Sequence, residues 1–460
     1  MPASVAIPTA PGAVPLLGHL PRLVRNPMGY LDTLAEHGGL LTLRLGPKKM
    51  VMVCDPSLTH EVLVRDDVFD KGGPLFEAGL RPLPSGVGMV PHHRHRRIRK
   101  LMQPSFTRTR VAGYGEIMSE RISGVVGAWQ DGQELDINSE MVAVTSRVLL
   151  ATMFSSALSE ETMERIAADS NALISGIMAD AVKPPLLRRL PTPGNRRYAK
   201  AVARLRETML TLVAERRAEA AKGAAGAEHA DALSALLAAH EAGTDDSGDG
   251  GEDRLSESEL VDQLVFLMVA GTEAAAQTVA WALRELSQRP DLEAALHAEV
   301  DAVLEGRPAG YDDVPRLEVT GRILSEVLRF HSPSWIFTRR TNTDTELGGH
   351  RISAGTDVVY SPYLINRAPL SHEEPRRFDP ERWRLERAAR MHKDGYIPFG
   401  TGARKCIGEQ YAMTETTLVL ATIASRWSLR AVPGNRVRPN LLSMSVGPDG
   451  LRLKAVARER

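Results

Sequence analysis

Three observations predict a mainly α chain with a smaller β-rich portion near its N-terminus. Residues 113–220 read largely as amphipathic helices, residues 255–287 as one long apolar helix, and the clearest β-rich runs are two short stretches at 40–46 (LLTLRLG) and 50–54 (MVMVC). Hydrophobic residues make up 43% and charged residues 25% of 460 positions, enough to bury a sizeable soluble core. Lys plus Arg equals Asp plus Glu at 57 each, so no global charge favours a nucleic-acid partner. The two cysteines, Cys54 and Cys406, give no disulfide framework and suit a reducing interior.

The chain opens on MPASVAIPTAPGAVPLLGHL, which is apolar but broken by prolines. It has no positive start and no run of about 18 apolar residues, so it is read as neither signal peptide nor membrane anchor. The expectation is a soluble, cytoplasmic protein. Residues 11–20 form an extended lead-in, and a hairpin turn is expected at Pro47-Lys48-Lys49 between the two β-rich runs. Cys54 ends the second run and is read as packing.

Residues 73–92 are rich in Gly and Pro and resist a regular assignment, as mobile functional loops often do. Then comes a dense basic run, His92-His93-Arg94-His95-Arg96-Arg97-Ile98-Arg99-Lys100, followed by Pro104 and Phe106. Taken alone it is a solvated cationic helix face or an anion patch. The helices of 113–220 break at Pro184-Pro185 and at Leu190–Gly194, and carry no recognisable chemistry. Residues 221–254 contain a Gly- and acid-rich surface connection, expected to be flexible over 240–254. It is not read as a domain boundary.

The long helix opens at Leu255–Glu259, ends before Pro290, and is apolar on all faces from Leu264 to Gly271, so it is buried. Gly271-Thr272-Glu273 interrupt the apolar run, which argues against a membrane span. A carboxylate in such a helix is costly unless paired or used. Glu273 is therefore either salt-bridged, in contact with a water channel, or functional. Further on, Glu326 and Arg329 stand at i and i+3, a spacing worth only tenths of a kcal/mol if exposed. Ser332 to Arg340 (SPSWIFTRR) reads as extended, with Trp335, Ile336 and Phe337 as pocket wall or ordinary core.

The last stretch carries the most chemistry. Phe399-Gly400-Thr401-Gly402-Ala403-Arg404-Lys405-Cys406-Ile407-Gly408 is a glycine-rich loop, and residues 409–427 after it have helical spacing. Cys406 thus lies at or just before a helix N-terminus, beside two cations, where a thiolate is favoured. Such a sulfur is a metal ligand or a nucleophile, against the bland reading of a buried structural cysteine. No His or Cys partners stand nearby at zinc spacing, whereas a haem iron needs only one axial cysteine.

That loop resembles the haem-binding signature F-x-x-G-x-R-x-C-x-G of the cytochrome P-450 family at every fixed position, through Gly408. The resemblance runs over essentially the whole chain and implies a single-domain cytochrome P-450 fold over 1–460, with haem b (iron protoporphyrin IX) on an axial Cys thiolate. By that likeness Cys406 is the proximal iron ligand, Phe399 packs near the sulfur, and Arg404, Arg339 and the one-turn pair His95 and Arg99 meet the haem propionates. Glu326 and Arg329 resemble the family's E-x-x-R pair, completed by Arg382 of Phe378-Asp379-Pro380-Glu381-Arg382-Trp383 as a structural triad. The basic residues around His92–Lys100, with Arg404 and Lys405, suit docking of an acidic redox protein.

Ala270-Gly271-Thr272-Glu273 resembles the family's distal helix, where the glycine leaves room for dioxygen and the acid joins a proton relay. The chain departs from the family at the next position, where a threonine is usual and Ala274 stands. Thr272 lies about 200° around the helix from 274 and is a doubtful substitute. The pocket is expected to draw on Leu75, Phe76, Phe266, Ala270, Trp335, Ile336 and Phe337.

The stretches 73–80 (GPLFEAGL), 190–198 (LPTPGNRRY) and 334–341 (SWIFTRRT) are similar to bacterial members that oxidise terpenes. The implied activity is dioxygen-dependent monooxygenation of an apolar terpenoid or prenylated small molecule in secondary metabolism. No flavin, nicotinamide or iron–sulfur motif is present, so a separate ferredoxin and ferredoxin reductase are the expected partners. Ala274 keeps open an oxygen-independent, nitrene-type or rearranging cyclisation. A non-catalytic haem sensor or electron carrier is the reading of another class.

Overall fold

Alternating side chains in residues 40–53 build a hairpin whose two faces are both buried. The computed structural model describes residues 6–154, 158–183, 185–219, 221, 231–241, 254–440 and 443–459. Strands β1 (Leu40–Leu45) and β2 (Lys48–Val53) pair antiparallel with Leu45 opposite Lys48. The turn is therefore Gly46-Pro47, one residue earlier than expected, because the positive φ of Gly46 (62°) suits a two-residue hairpin. Leu41, Leu43, Met50 and Met52 face one core cluster with Tyr30, Leu31 and Leu34, while Leu40, Val51 and Val53 face another with Phe69 and Val358. Cys54 lies in the first cluster, and burial pushes its thiol up to about 12, so it serves packing alone.

The chain forms two compact units. The first comprises Met1–Arg81, Met89–His93 and Glu326–Cys406. Its five-stranded sheet adds β3 (Phe69–Lys71), β4 (Phe337–Thr341) and β5 (Asp357–Tyr360), in the order β1-β2-β5-β4-β3, with only β2 and β5 parallel. The β3–β4 register sets Lys71 opposite Arg339 and Asp70 opposite Arg340.

The second unit comprises Pro82–Gly88, Arg94–Ser325 and Ile407–Arg460. Its spine is the long helix Glu257–Ser287, started by a capping box in which Ser256 and Glu259 satisfy each other's backbone N–H groups. The helix packs on Ile137–Phe154 and Glu409–Arg426. It runs unbroken through Gly271–Glu273, where Thr272 Oγ donates back to Met268 O (3.0 Å) and Thr145 Oγ lies 3.1 Å from Thr272 O. This is the one helix among the described residues long and apolar enough to cross a membrane, and most of that window is buried in the protein. A three-stranded sheet (Glu134–Asp136, Arg452–Ala457, Trp427–Ala431) completes the unit's β structure with the short pair Arg438–Pro439 and Pro448–Asp449.

The stretch 73–92 is more regular than its composition suggests. Pro74–Leu80 is a helix with Pro at its first position, and His92–Met102 follows as the basic helix. Within the second unit, Ser85 N–H donates to Asp262 (3.0 Å) and Val87 N–H to Gln263 Oε1 (2.8 Å), so side chains of the long helix fix 82–88. A seven-residue helix and long-range anchors leave no local periodicity to read. Of the expected flexible connection 240–254, residues 242–253 lie outside the described residues.

Candidate active site

Two glycines shape the cysteine loop. Gly400 (φ 69°) and Gly402 (φ 71°) occupy the left-handed region, and a Cβ on Gly402 would lie 2.9 Å from the Leu63 carbonyl at the end of helix Pro56–Val64. The Cys406 N–H donates to Phe399 O (2.8 Å), which closes the loop on itself. Cys406 is exposed and is not in a disulfide. The helix Glu409–Arg426 begins just beyond Gly408, whose Cβ direction is open space. The structure thus presents a sulfur rather than packing it.

Beside this loop the first unit gathers buried cations. Arg404 donates through Nε to Asp66 (3.0 Å), through Nη2 to Asp70 (3.0 Å) and through Nη1 to Val90 O (2.7 Å). Burial opposes the Asp66 carboxylate, but hydrogen bonds from His92 and Arg404 hold its pKa below the usual range. Arg339 is only 1% exposed and hydrogen-bonds Tyr360, yet its Nε and Nη1 have no protein acceptor. Lys71, its partner across the β3–β4 register, has its amine pKa lowered well below the ordinary value by burial and then by Arg339 and Arg404, against Asp70 and Asp66.

Buried guanidinium donors without acceptors are costly, and a propionate-bearing macrocycle would supply the missing oxygens. The donor set therefore fits a haem: one exposed thiol for the iron and two unanswered N–H donors with a suppressed ammonium for its carboxylates. In the second unit His95 is buried and Arg99 half-buried on the basic helix, one turn apart as expected.

Much of the basic run is already engaged. Arg94 and Arg97 both bind Glu259, and His92 lies 3.2 Å from Asp66, while His93 and Arg96 are exposed.

The expected triad is assembled, with Arg329 hydrogen-bonded to Glu326 and Arg382 held to Glu326 by charge alone, its Nε making no hydrogen bond. Arg329 grips Glu326 through two bonds (Nε–Oε2 2.8 Å, Nη2–Oε1 2.7 Å), and both side chains are 0% exposed. Arg382 Nε stands 3.6 Å from Glu326 Oε2, Trp383 Nε1 donates to the same oxygen (3.0 Å), and Asp379 N–H donates to Oε1 (2.8 Å). Arg329 also holds the carbonyls of Asn366, Pro375 and Arg377, so the triad ties down the chain leading toward the cysteine loop.

Past its first turn, the long helix is least buried at its middle: Ala270 is exposed and Gly271 to Ala274 are half-buried, between the buried runs 267–269 and 275–283. Gly271 lies close to the helix Ile137–Phe154, where a Cβ on it would lie 2.9 Å from Leu149 Cδ2. Thr272, the neighbouring hydroxyl, donates to Met268 O one turn back (3.0 Å). Glu273 accepts a hydrogen bond from the Ser445 backbone N–H, while burial raises its pKa to about 7.

That value has a consequence for stability. A carboxyl with a folded pKa near 7 and an unfolded value near 4.5 makes folding less favourable as pH rises between those limits, by up to about 3 kcal/mol. Glu273→Gln is expected to remove that share of the slope, measured as the unfolding midpoint from pH 4.5 to 8.

The expected pocket residues divide. Phe266 packs against the backbone of Gly86 and Gly88. Trp335, Ile336 and Phe337 pack on the first core cluster, with Phe337 stacked on Tyr360 at 5.5 Å, so the competing core reading accounts for much of their surface. Phe76 lies under the Lys71 ammonium at 5.8 Å, and Leu75 is in the same helix, its side chain outside the described set. Sequence reasoning missed Lys71, Asp66, Asp70 and Ser445. Their partners lie far along the chain, from 22 residues between Asp70 and His92 to 338 between Arg404 and Asp66, and no local pattern marks them.

A mainly α fold with a presented thiol and a buried, acceptor-poor guanidinium defines a haem-thiolate protein. The cytochrome P450 family model matches residues 8–455, and the chain belongs to that family. It is 38% identical to pentalenene oxygenase of Streptomyces avermitilis, over 98% of this chain and 97% of that one. It is 41% identical to cyclooctatin synthase of Streptomyces melanosporofaciens, covering 95% and 94%, and 40% identical to cyclooctat-9-en-7-ol 5-monooxygenase of the same organism, covering 93% and 90%. Among solved structures, the haem domain of cytochrome P450DA superposes with a TM-score of 0.85 at 26% identity, over 99% of this chain and 98% of that one.

Proposed function

We propose that this chain is a haem b monooxygenase that inserts oxygen into an apolar terpenoid of secondary metabolism, with electrons from a separate ferredoxin and its reductase. The observation that carries the reading is the exposed Cys406 thiol held by a loop that the family signature matches throughout, in a unit that also holds the unanswered donors of Arg339. One family match runs through both units, which supports a single haem-thiolate domain. The names of the relatives support the substrate class. The burial of the long apolar helix supports a soluble, cytoplasmic enzyme.

A haem held by the Cys406 sulfur would supply dioxygen-activating redox chemistry, with the thiolate donating electron density to it. The protein's part is to hold, orient and meter. Cys406 would present the sulfur, and Arg339 and Lys71 would neutralise the carboxylates, with His95 and Arg99 as the further partners that the family resemblance implies; Arg404, whose donors are taken by Asp66, Asp70 and Val90 O, would brace the cluster rather than bind directly. The open window at 270–274 faces substrate with small side chains, and Glu273 is the titratable group within it. Arg96 offers exposed positive charge to an acidic electron donor.

The test is an absorbance titration of the ferric protein with terpenes, terpenoid alcohols and prenylated N-oxygenated aromatics. A low-to-high spin shift with plain terpenoids and dioxygen-dependent product supports the proposal. A response confined to N-oxygenated ligands, with product formed without dioxygen, moves the function to the nitrene-type reaction that Ala274 permits.

Two variants extend the test. Arg339→Leu is expected to speed haem loss about tenfold or more, the equivalent of losing one charge-assisted hydrogen bond, read by transfer to an apo-haemoprotein acceptor. Ala274→Thr is expected to raise the yield of product per reductant consumed, because it restores a hydroxyl beside Glu273. An unchanged or lower yield would count against ordinary dioxygen activation.

A further inference from the structure

Five of the twelve large apolar side chains exposed among the described residues fall between Val14 and Val24, which marks this short stretch of the first unit. Leu16 is 89% exposed and Val24 80%, with Val14, Leu17 and Leu20 beside them. The cluster is built rather than frayed. Val14 and Gly18 exchange backbone hydrogen bonds (2.9 Å each), and Gly46 N–H of the β1–β2 turn donates to Leu17 O (3.1 Å). His19 N–H donates to Arg44 O (2.7 Å), and a Cβ on Gly18 would run into that same carbonyl. The turn is thereby locked onto the hairpin. At its tip Leu16 holds a positive φ of 62°, a conformation that favours glycine. With so much of its side chain in solvent, packing inside the protein does not account for a leucine there.

The charges along this stretch are of one sign. Arg22 and Arg25 stand in the helix Leu20–Arg25, Arg44 and Lys49 are register partners in the hairpin, and all four are exposed. Lys48 is ion-paired with Asp357. No Asp or Glu occurs in residues 1–31 or 38–54, and Asp32, the first acid along the chain, is bound by Arg367 and Tyr363. From that arrangement we infer that the turn 14–18, the helix Leu20–Arg25 and the adjoining hairpin form a surface contact for an anionic phospholipid membrane, leucines entering the acyl region and cations meeting the headgroups. Apolar side chains rimmed by Arg and Lys are what interfacial segments use. A protruding leucine tip needs no complementary cavity among mobile acyl chains, whereas a protein partner would have to supply one. A second copy of this chain would set cations against cations. The helix has six residues, so the contact lies on the membrane and spans nothing. An apolar terpenoid collects in such a membrane; that benefit rests on the monooxygenase reading, and the contact itself does not.

The experiment is co-sedimentation of the holoenzyme with extruded vesicles of phosphatidylglycerol and phosphatidylcholine in equal parts, against vesicles of phosphatidylcholine alone. The wild-type protein is expected to bind the mixed vesicles and to be released by salt. Leu16→Gly with Leu17→Ser is expected to weaken binding about tenfold or more. Glycine suits the positive φ at 16, so this variant should fold at least as readily, checked by an unaltered haem absorbance spectrum. Arg25→Gln with Lys49→Gln is expected to weaken binding to the mixed vesicles about tenfold or more. Leu385→Ser, which alters an equally exposed leucine elsewhere in the first unit, should bind as wild type.

No binding of wild type to the mixed vesicles at low ionic strength overturns the inference. Binding that the leucine variant leaves intact overturns the assignment to this surface. Equal binding to both vesicle types, untouched by Arg25→Gln with Lys49→Gln, overturns the role of charge. Self-association of wild type that the leucine variant loses, without vesicle binding, gives the surface to a second copy of the chain instead. If vesicles are bound but no terpenoid is turned over, the monooxygenase reading fails and the contact stands.

Discussion

Cys406→Ser is expected to abolish turnover, by at least about a thousandfold, or ~4 kcal/mol of barrier. A serine oxygen has the loop's geometry but holds its proton at neutral pH, so it is a poor ligand with none of the thiolate's electron donation. The loop itself should survive, because Phe399 O binds the backbone N–H of residue 406 rather than its side chain, and the positive φ of Gly400 and Gly402 is independent of that residue. The carboxylate-binding groups, Arg339 above all, are also untouched. The variant should therefore retain part of its haem while its reduced carbon monoxide complex loses the long-wavelength band of thiolate ligation. Retention of both that band and turnover would assign the ligand elsewhere. Cys54 is a poor alternative: it is buried in a core cluster, and its thiol is pushed up to about 12.

The parts of this site that could be read in the sequence are those whose residues are neighbours along the chain. The cysteine loop is ten consecutive residues, and the pair Glu326–Arg329 lies within one helical turn. The long helix carries its own start signal in Ser256 and Glu259. Its end is marked by Pro290, the first residue of the next helix. Chemistry that depends on tertiary approach was not legible. Nothing near Arg404 announces Asp66 and Asp70, and nothing near Glu273 announces Ser445. The missing Cβ of Gly271 faces Leu149 of a neighbouring helix, a contact that no local pattern announces. A glycine in a helix signals close approach without saying of what. The 73–92 stretch was misjudged because short helices and side-chain anchors do not produce a repeat.

Glu326→Ala is expected to be the most destabilising single change in the first unit. With the carboxylate gone, the Arg329 and Arg382 guanidinium groups are left buried with their principal anion removed, and the Asp379 N–H and Trp383 indole N–H lose their acceptor. Breaking a buried pair from one side costs about 3–5 kcal/mol, a large share of the ~5–15 kcal/mol that stabilises a folded chain. Burial already works to lower the Arg382 pKa, so this site has no spare capacity for uncompensated charge.

The expected result is a protein recovered largely in aggregates or without haem, with a sharply lower unfolding midpoint for the soluble fraction. A double-mutant cycle separates the charge from the packing. Glu326→Gln keeps a volume and an oxygen, and should lose less. Glu326→Leu with Arg329→Met, which removes both charges together, should lose less than the sum of its single changes. A Glu326→Ala protein within about 0.5 kcal/mol of wild type, at the level of an ordinary surface substitution, would mean that the triad does not carry the fold. Its effect on activity, if it is structural as argued, should scale with haem content and leave the turnover per bound haem unchanged.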